Sequence, residues 1–155
     1  MVQYVLENDL WIISAYTHIA QVQSQAKILE ANGMPIILYT DAKALTNAIV
    51  GQNNIITTIN SARYALSTII DEDYRNAFQY VLVLDEFHSI VSAVYGSATL
   101  NRQRKEILSD LQFLVNHRKE AIVINNLISN AYIFLINTLM SENNEKAPLF
   151  FYDNT

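Results

Sequence analysis

The stretch Tyr80-Val81-Leu82-Val83-Leu84, closed by Asp85-Glu86-Phe87-His88, decides the fold. Its apolar run has no polar face, which suits a strand of a parallel sheet covered on both sides. The run stops abruptly at two adjacent carboxylates, so a buried strand ends on a pair of charges.

Working outward, the same alternation of strand and helix repeats on both sides. Upstream, Trp11-Ile12-Ile13-Ser14 is a short apolar run, and Ile19, Val22, Ala26 and Leu29 then recur at helical spacing. Asn32-Gly33 supplies residue types that tolerate a left-handed C-cap, and Pro35 blocks continuation before a strand at Ile36-Ile37-Leu38-Tyr39. Asp41 to Gly51 reads as a connecting loop with a helical turn. Ile55 to Ile59 has the β-branched content of a buried strand, and Asn60 or Ser61 caps a helix expected to run through Ile70. Val2 to Leu6 has the composition of a further strand.

Downstream, helices are predicted over Phe87 to Tyr95 and Thr99 to Val115, separated by Gly96-Ser97. Ala121-Ile122-Val123-Ile124 is another buried strand, Ser129 caps a helix over Ala131 to Met140, and Leu149 to Tyr152 forms an edge strand. Such alternation predicts one α/β domain with a mainly parallel sheet and helices on both faces.

Composition agrees. The chain has 155 residues, 51% of them hydrophobic and 16% charged, with three glycines and two prolines. That length buries roughly two thirds of the unfolded surface, enough for one core without staples. The net charge of -5 argues against a broad basic surface for DNA, so any nucleic-acid contact must be local. Having no cysteine, the chain has no disulfide framework and no thiolate metal site, which suits an intracellular protein. No apolar run reaches the roughly 18 to 20 residues of a membrane span, and no membrane association is expected.

In open parallel sheets, ligands sit beyond the carboxyl ends of the strands. The polar residues placed there are Ser14 to His18, Thr40-Asp41, Thr57 to Ser61, Asp85 to His88 and Asn125 to Asn130. Asp85-Glu86-Phe87-His88 is the strongest of them. In a nucleotide motor the first carboxylate helps to hold magnesium and the second polarises the attacking water. The same pair can instead cap the following helix and favour its positive end.

The segment from Val81 to Leu111, with Ile90, Tyr95, Ser97, Thr99-Leu100 and a helix carrying Glu106, Leu108 and Leu111 behind the acidic motif, resembles the first motor domain of the replication origin-binding helicases of superfamily 2. The likeness runs from about Leu10 to Leu139. It implies a RecA-like three-layer α/β/α domain, with magnesium and ATP as cofactors at Asp85, Glu86 and His88. Ile12 to Thr17 resembles the family's first DNA-contacting motif, which implies roles for Ser14, Tyr16 and Thr17. Ile56 to Ser61, followed by Arg63-Tyr64, is similar to the next one, which implies roles for Thr57, Thr58, Ser61 and Arg63 on single-stranded DNA. Arg63 is the expected phosphate partner. Asn125, Ser129 and Asn130 fall where the family couples hydrolysis to DNA movement.

Two departures qualify this resemblance. A phosphate cradle needs a glycine-rich turn ending in Lys and Ser or Thr, and none of Gly33, Gly51 and Gly96 is followed by such a pair. Nine residues precede the strand at Leu10 to Ser14, too few for a strand, phosphate loop and helix. Asn125 and Leu127 also replace the acidic residue expected in the coupling motif. The expectation is therefore a partial or degenerate motor domain of DExH type that does not hydrolyse ATP alone, with the remainder of a helicase or a replication protein as partner. The alternative is a non-catalytic module that binds protein or nucleic acid. A receiver-like domain using Asp85 and Asp41 fits less well, because Lys119 precedes its strand instead of following it. His18, His88 and His117 lack metal-ligand spacing.

Overall fold

The computed structural model describes residues 2–8, 10–38, 54–63, 80–96, 103–124, 129–131, 134–135 and 149–151. Six strands lie in one sheet: β1 (Trp11–Tyr16), β2 (Ile36–Leu38), β3 (Asn54–Thr58), β4 (Tyr80–Asp85), β5 (Glu120–Ile124) and β6 (Leu149–Phe151). Their order is β2-β3-β1-β4-β5-β6, and every neighbouring pair is parallel. All carboxyl ends therefore share one edge of the sheet. The helices are α1 (Val2–Glu7), α2 (Ile19–Ala31), α3 (Phe87–Gly96) and α4 (Arg104–His117).

Side chains alternate between the two faces of each strand, and both faces are covered. Ile13, Ala15, Ile55, Leu82, Leu84, Ala121 and Val123 pack with Phe87, Ile90 and Val94 of α3 and Ile107, Leu111 and Leu114 of α4. Ile12, Tyr16, Ile56, Val81 and Val83 pack on the opposite face with Val5 of α1 and Val22, Ala26 and Leu29 of α2. Leu82 and Ile13 are both 0% exposed, and burying each such side chain contributes roughly 2 kcal/mol. The expected α/β class with helices on both faces is thus observed. No helix among the described residues is long and apolar enough to cross a membrane.

Strand β4 coincides with the apolar run, and Tyr80 anchors its base. The Tyr80 ring is buried, and its hydroxyl donates to the Leu114 carbonyl at the end of α4. Trp11, at the start of β1, lies opposite Tyr80 in register. Strand β1 continues two residues beyond Ser14, through Ala15 and Tyr16, which are both buried. Strand β3 begins one residue earlier than the apolar run, at Asn54. Its side chain accepts from the Ile12 N-H at 2.9 Å and donates to the Pro35 carbonyl at 2.9 Å, tying β3 to β1 and to the entry of β2. Ile59 leaves the strand and opens a 3-10 turn, Ile59–Ser61.

Residues 2–7 form a helix and not the strand that their composition suggested. Six residues are too few to hold a helix by propensity, so packing decides. Val5 is fully buried, and the Val5 carbonyl accepts from the Leu10 N-H at 3.0 Å. Helix α2 ends as the Asn32-Gly33 pair predicts. Gly33 has φ 80°; its N-H donates to the Glu30 carbonyl, and the Met34 N-H to that of Leu29. Buried Met34 packs in the same cluster as Leu29, which completes the hydrophobic half of this termination.

Several sequence expectations lie outside the described residues: the loop from Asp41 to Gly51, the helix from residue 64 to Ile70, the segment 97–102, Asn125 to Ile128, and most of the helix predicted over Ala131 to Met140. Asn130, Ala131, Phe134 and Leu135 are helical.

Candidate functional site

Helix α2 leaves β1 on one face of the sheet and leads toward β2, whereas α3 and α4 leave β4 on the other face and lead toward β5. Strands β1 and β4 are neighbours whose outgoing chains diverge to opposite faces, the arrangement that places a crevice between carboxyl ends in open α/β sheets. Ligands of open α/β sheets bind at such a switch point. Asp85 and Glu86 stand at this place.

Asp85 is the last residue of β4, paired in register with Ile124 of β5. By alternation it shares the α2 face with Val81, Val83 and, on β1, Tyr16. Partial burial pushes the Asp85 carboxyl above its ordinary range, the Glu86 backbone N-H pulls it back, and the Glu86 charge pushes it further up. The Glu86 N-H donates to Asp85 Oδ1 at 2.8 Å. Burial likewise raises the Tyr16 phenol, the neighbouring Ser14 hydroxyl pulls it back, and the charge of Asp85 adds to the rise.

Glu86 forms the hinge between β4 and α3. Its φ of 50° is the one positive value among described non-glycine residues, a left-handed backbone that costs about 1 kcal/mol or more with a side chain present. The Glu86 carbonyl starts α3, accepting from the Ser89 and Ile90 N-H groups at 2.8 and 3.3 Å. Its carboxylate reaches across the crevice and accepts from Gln21 Nε2 at 2.8 Å. Ser89 Oγ makes a longer contact to the same oxygen at 3.5 Å and lies 3.1 Å from His88 Nε2.

Gln21 belongs to the first turn of α2 and was not among the residues expected here. Its Oε1 accepts from Thr17 Oγ1 at 3.1 Å and from the His18 N-H at 3.3 Å. The glutamine thereby joins the turn after β1 to the carboxylate after β4. A sequence signal existed, because a Gln three residues after a capping position can close a capping box. Nothing in the sequence ties that glutamine to Glu86.

The structure brings Tyr16, Thr17, Asp85, Glu86 and His88 to the crevice or its rim. Ser14 lies deeper: it is 1% exposed, and its buried hydroxyl makes no close hydrogen bond, with the Tyr16 phenol as its polar neighbour. Thr57 and Thr58 are buried at the end of β3, where Thr57 Oγ1 donates to the Thr58 carbonyl at 3.0 Å and Thr58 Oγ1 to Asn60 Oδ1. Ser61 and Arg63 line a separate polar groove of about 260 Å³ with Asn60, Gln103, Glu106 and Ile107. Arg63 is paired there with Glu106 at 3.0 Å and Asp110 at 3.6 Å. Ser129 and Asn130 are exposed, and Asn125 lies outside the described residues.

Magnesium needs only one or two protein carboxylates when substrate phosphates and water complete its six oxygens. Asp85 and Glu86 meet that minimum. Among the described residues, no group of three or more His, Cys, Asp or Glu side chains could hold a metal alone. The pair therefore fits magnesium carried in on a phosphate better than a resident ion.

Comparison with known proteins adds no constraint: no family model, no curated protein and no solved structure matches the chain.

Proposed function

We propose that the chain is a partial motor domain of RecA-like type, related to the first motor domain of the replication origin-binding helicases, in which Asp85 and Glu86 receive the magnesium and phosphates of ATP. The observation that carries this reading is the position of the acid pair at the β1/β4 switch point, with Glu86 in a left-handed turn. A charge pair that only capped α3 would not require that backbone.

In this reading Asp85 would contribute an oxygen to magnesium, and the ion would supply positive charge to a transferring phosphoryl group. Glu86, held by Gln21, would orient the attacking water, and a cation beside Asp85 would pull its raised carboxyl back down. The 155 residues contain no glycine-rich phosphate loop, so an element from outside them must cradle the phosphates. Accordingly the isolated chain binds Mg·ATP weakly and does not turn it over.

Titration calorimetry with ATP tests this. Heat that requires magnesium, vanishes with EDTA and is lost in Asp85→Asn supports the reading. ATP binding indifferent to magnesium or to Asp85→Asn, or no binding, removes it.

A non-catalytic interaction module is the second reading. The pairing of Arg63 with two carboxylates favours it, because the expected phosphate partner is already engaged. The net charge of -5 points the same way.

A further inference from the structure

The Gln21 amide has one orientation compatible with its neighbours. Its oxygen faces two donors, Thr17 Oγ1 and the His18 N-H, and its nitrogen faces the Glu86 carboxylate. A flipped amide would set N-H against the His18 N-H and oxygen against a carboxylate oxygen. Neither pairing can be satisfied, since a backbone N-H only donates and an ionised carboxylate only accepts. Three hydrogen bonds on one planar group therefore transmit position: a displacement of the 17–18 turn must move the amide, and the carboxylate follows or loses its donor. The far end is equally constrained, because the Glu86 backbone is bound through Asp85 Oδ1, Ser89 and Ile90.

We propose that Gln21 is a positioning residue that couples occupancy of the turn after β1 to the orientation of the Glu86 carboxylate. The proposal rests on the reading of Asp85 and Glu86 as a magnesium-phosphate site. It adds that whatever contacts Thr17 or displaces His18 resets the group meant to orient water. Thr17 is half-buried and His18 exposed at the start of α2, so a ligand can reach this turn without unpacking the core. Glu86 is then responsive, through a glutamine sixty-five positions away in sequence, to events at the turn after β1.

The test is a double-mutant cycle read by NMR on the full chain without ligand, following the Glu86 side-chain carboxylate carbon. Thr17→Val removes one donor to Gln21 Oε1 at near-constant volume. It is expected to shift the Glu86 carboxylate resonance in the wild-type background and to lose that effect in Gln21→Leu, with Gln21→Met as a second background should the first unfold. A purely structural glutamine would leave the Thr17→Val response at Glu86 unchanged when replaced, and that result, or no response in the wild type, overturns the proposal. A separate arm adds Mg·ATP and follows the backbone amides of Asp85 and Glu86. Coupling through Gln21 with amides blind to Mg·ATP keeps the clasp and removes the nucleotide reading. Amides that respond to Mg·ATP without coupling do the reverse.

Discussion

The guanidinium of Arg63 stands 3.0 Å from the carboxylate of Glu106, forty-three residues away on α4. Asp110, one helical turn on, lies 3.6 Å from the same side chain. The cation expected to meet DNA is thereby matched by two anions. Exchanging both in Glu106→Gln/Asp110→Asn frees it and takes the net charge from -5 to -3, two acidic charges fewer. Fluorescence anisotropy with labelled oligo-dT should show tighter binding than wild type. The log-log salt slope should steepen by roughly 0.7, the share of one phosphate contact on a single strand. Equal affinities and slopes would remove Arg63 from any nucleic-acid interface.

Asp85 makes stability pH-dependent. Its carboxyl is raised in the fold, so between the unfolded and folded values the native state binds the extra proton. Stability then falls as pH rises through that window and is flat above it. Asp85→Asn keeps an oxygen for the Glu86 N-H and removes the charge. Urea melts should show it more stable than wild type at pH 7, by less than about 1 kcal/mol for so solvent-screened a group. The difference should close below the ordinary carboxylate range.

Glu86 offers a cleaner comparison between two substitutions than with wild type. Glu86→Ala and Glu86→Gly both delete the carboxylate and its bond to Gln21, but only alanine keeps a Cβ at φ 50°. The glycine variant should be the more stable of the two by roughly 1 kcal/mol in denaturant unfolding. Equal midpoints at equal slopes would mean that the strand-to-helix hinge is not left-handed.

Ser14 carries a buried hydroxyl with no close hydrogen bond, the Tyr16 phenol being its polar neighbour, and desolvating such a group costs about 1 to 3 kcal/mol. Ser14→Ala should therefore be neutral or stabilising by up to roughly 1 kcal/mol, after loss of the oxygen's packing. Oligonucleotide binding should not change, since the side chain is sealed within the sheet.

Gly33 has φ 80° and open space around the position of a Cβ. Gly33→Ala should cost about 1 kcal/mol from the backbone alone, and Gly33→Asn less, because Asn visits this region more readily. Thermal unfolding of the two variants checks the order.

Strand and helix identities were legible where apolar runs and spacing were unambiguous. The apolar run Tyr80 to Leu84 became β4, and of the helically spaced Ile19, Val22, Ala26 and Leu29 the last three became the buried stripe of α2, while Ile19 at its start is exposed. Strand ends were less so: Ala15 and Tyr16 continue β1 because neighbouring strands and the helices on the two faces of the sheet bury them, which a local reading of Ser-Ala-Tyr-Thr does not reveal. Val2 to Leu6 reads as a strand by composition, yet the burial of Val5 fixes it as a helix. The acid pair announced itself by position. Its partner Gln21 did not, nor did the pairing of Arg63 with Glu106 and Asp110, because each joins segments that only the folded sheet brings together.

The single tryptophan gives the molecule a built-in reporter. Trp11 begins β1 and Tyr16 ends it, so the indole lies roughly 16 Å along the strand from the crevice rim. Packed against the α3 and α4 cluster, its emission follows collapse of that core while staying blind to quenching by a guest beside Asp85. Fluorescence melts can therefore compare empty and loaded protein on one scale.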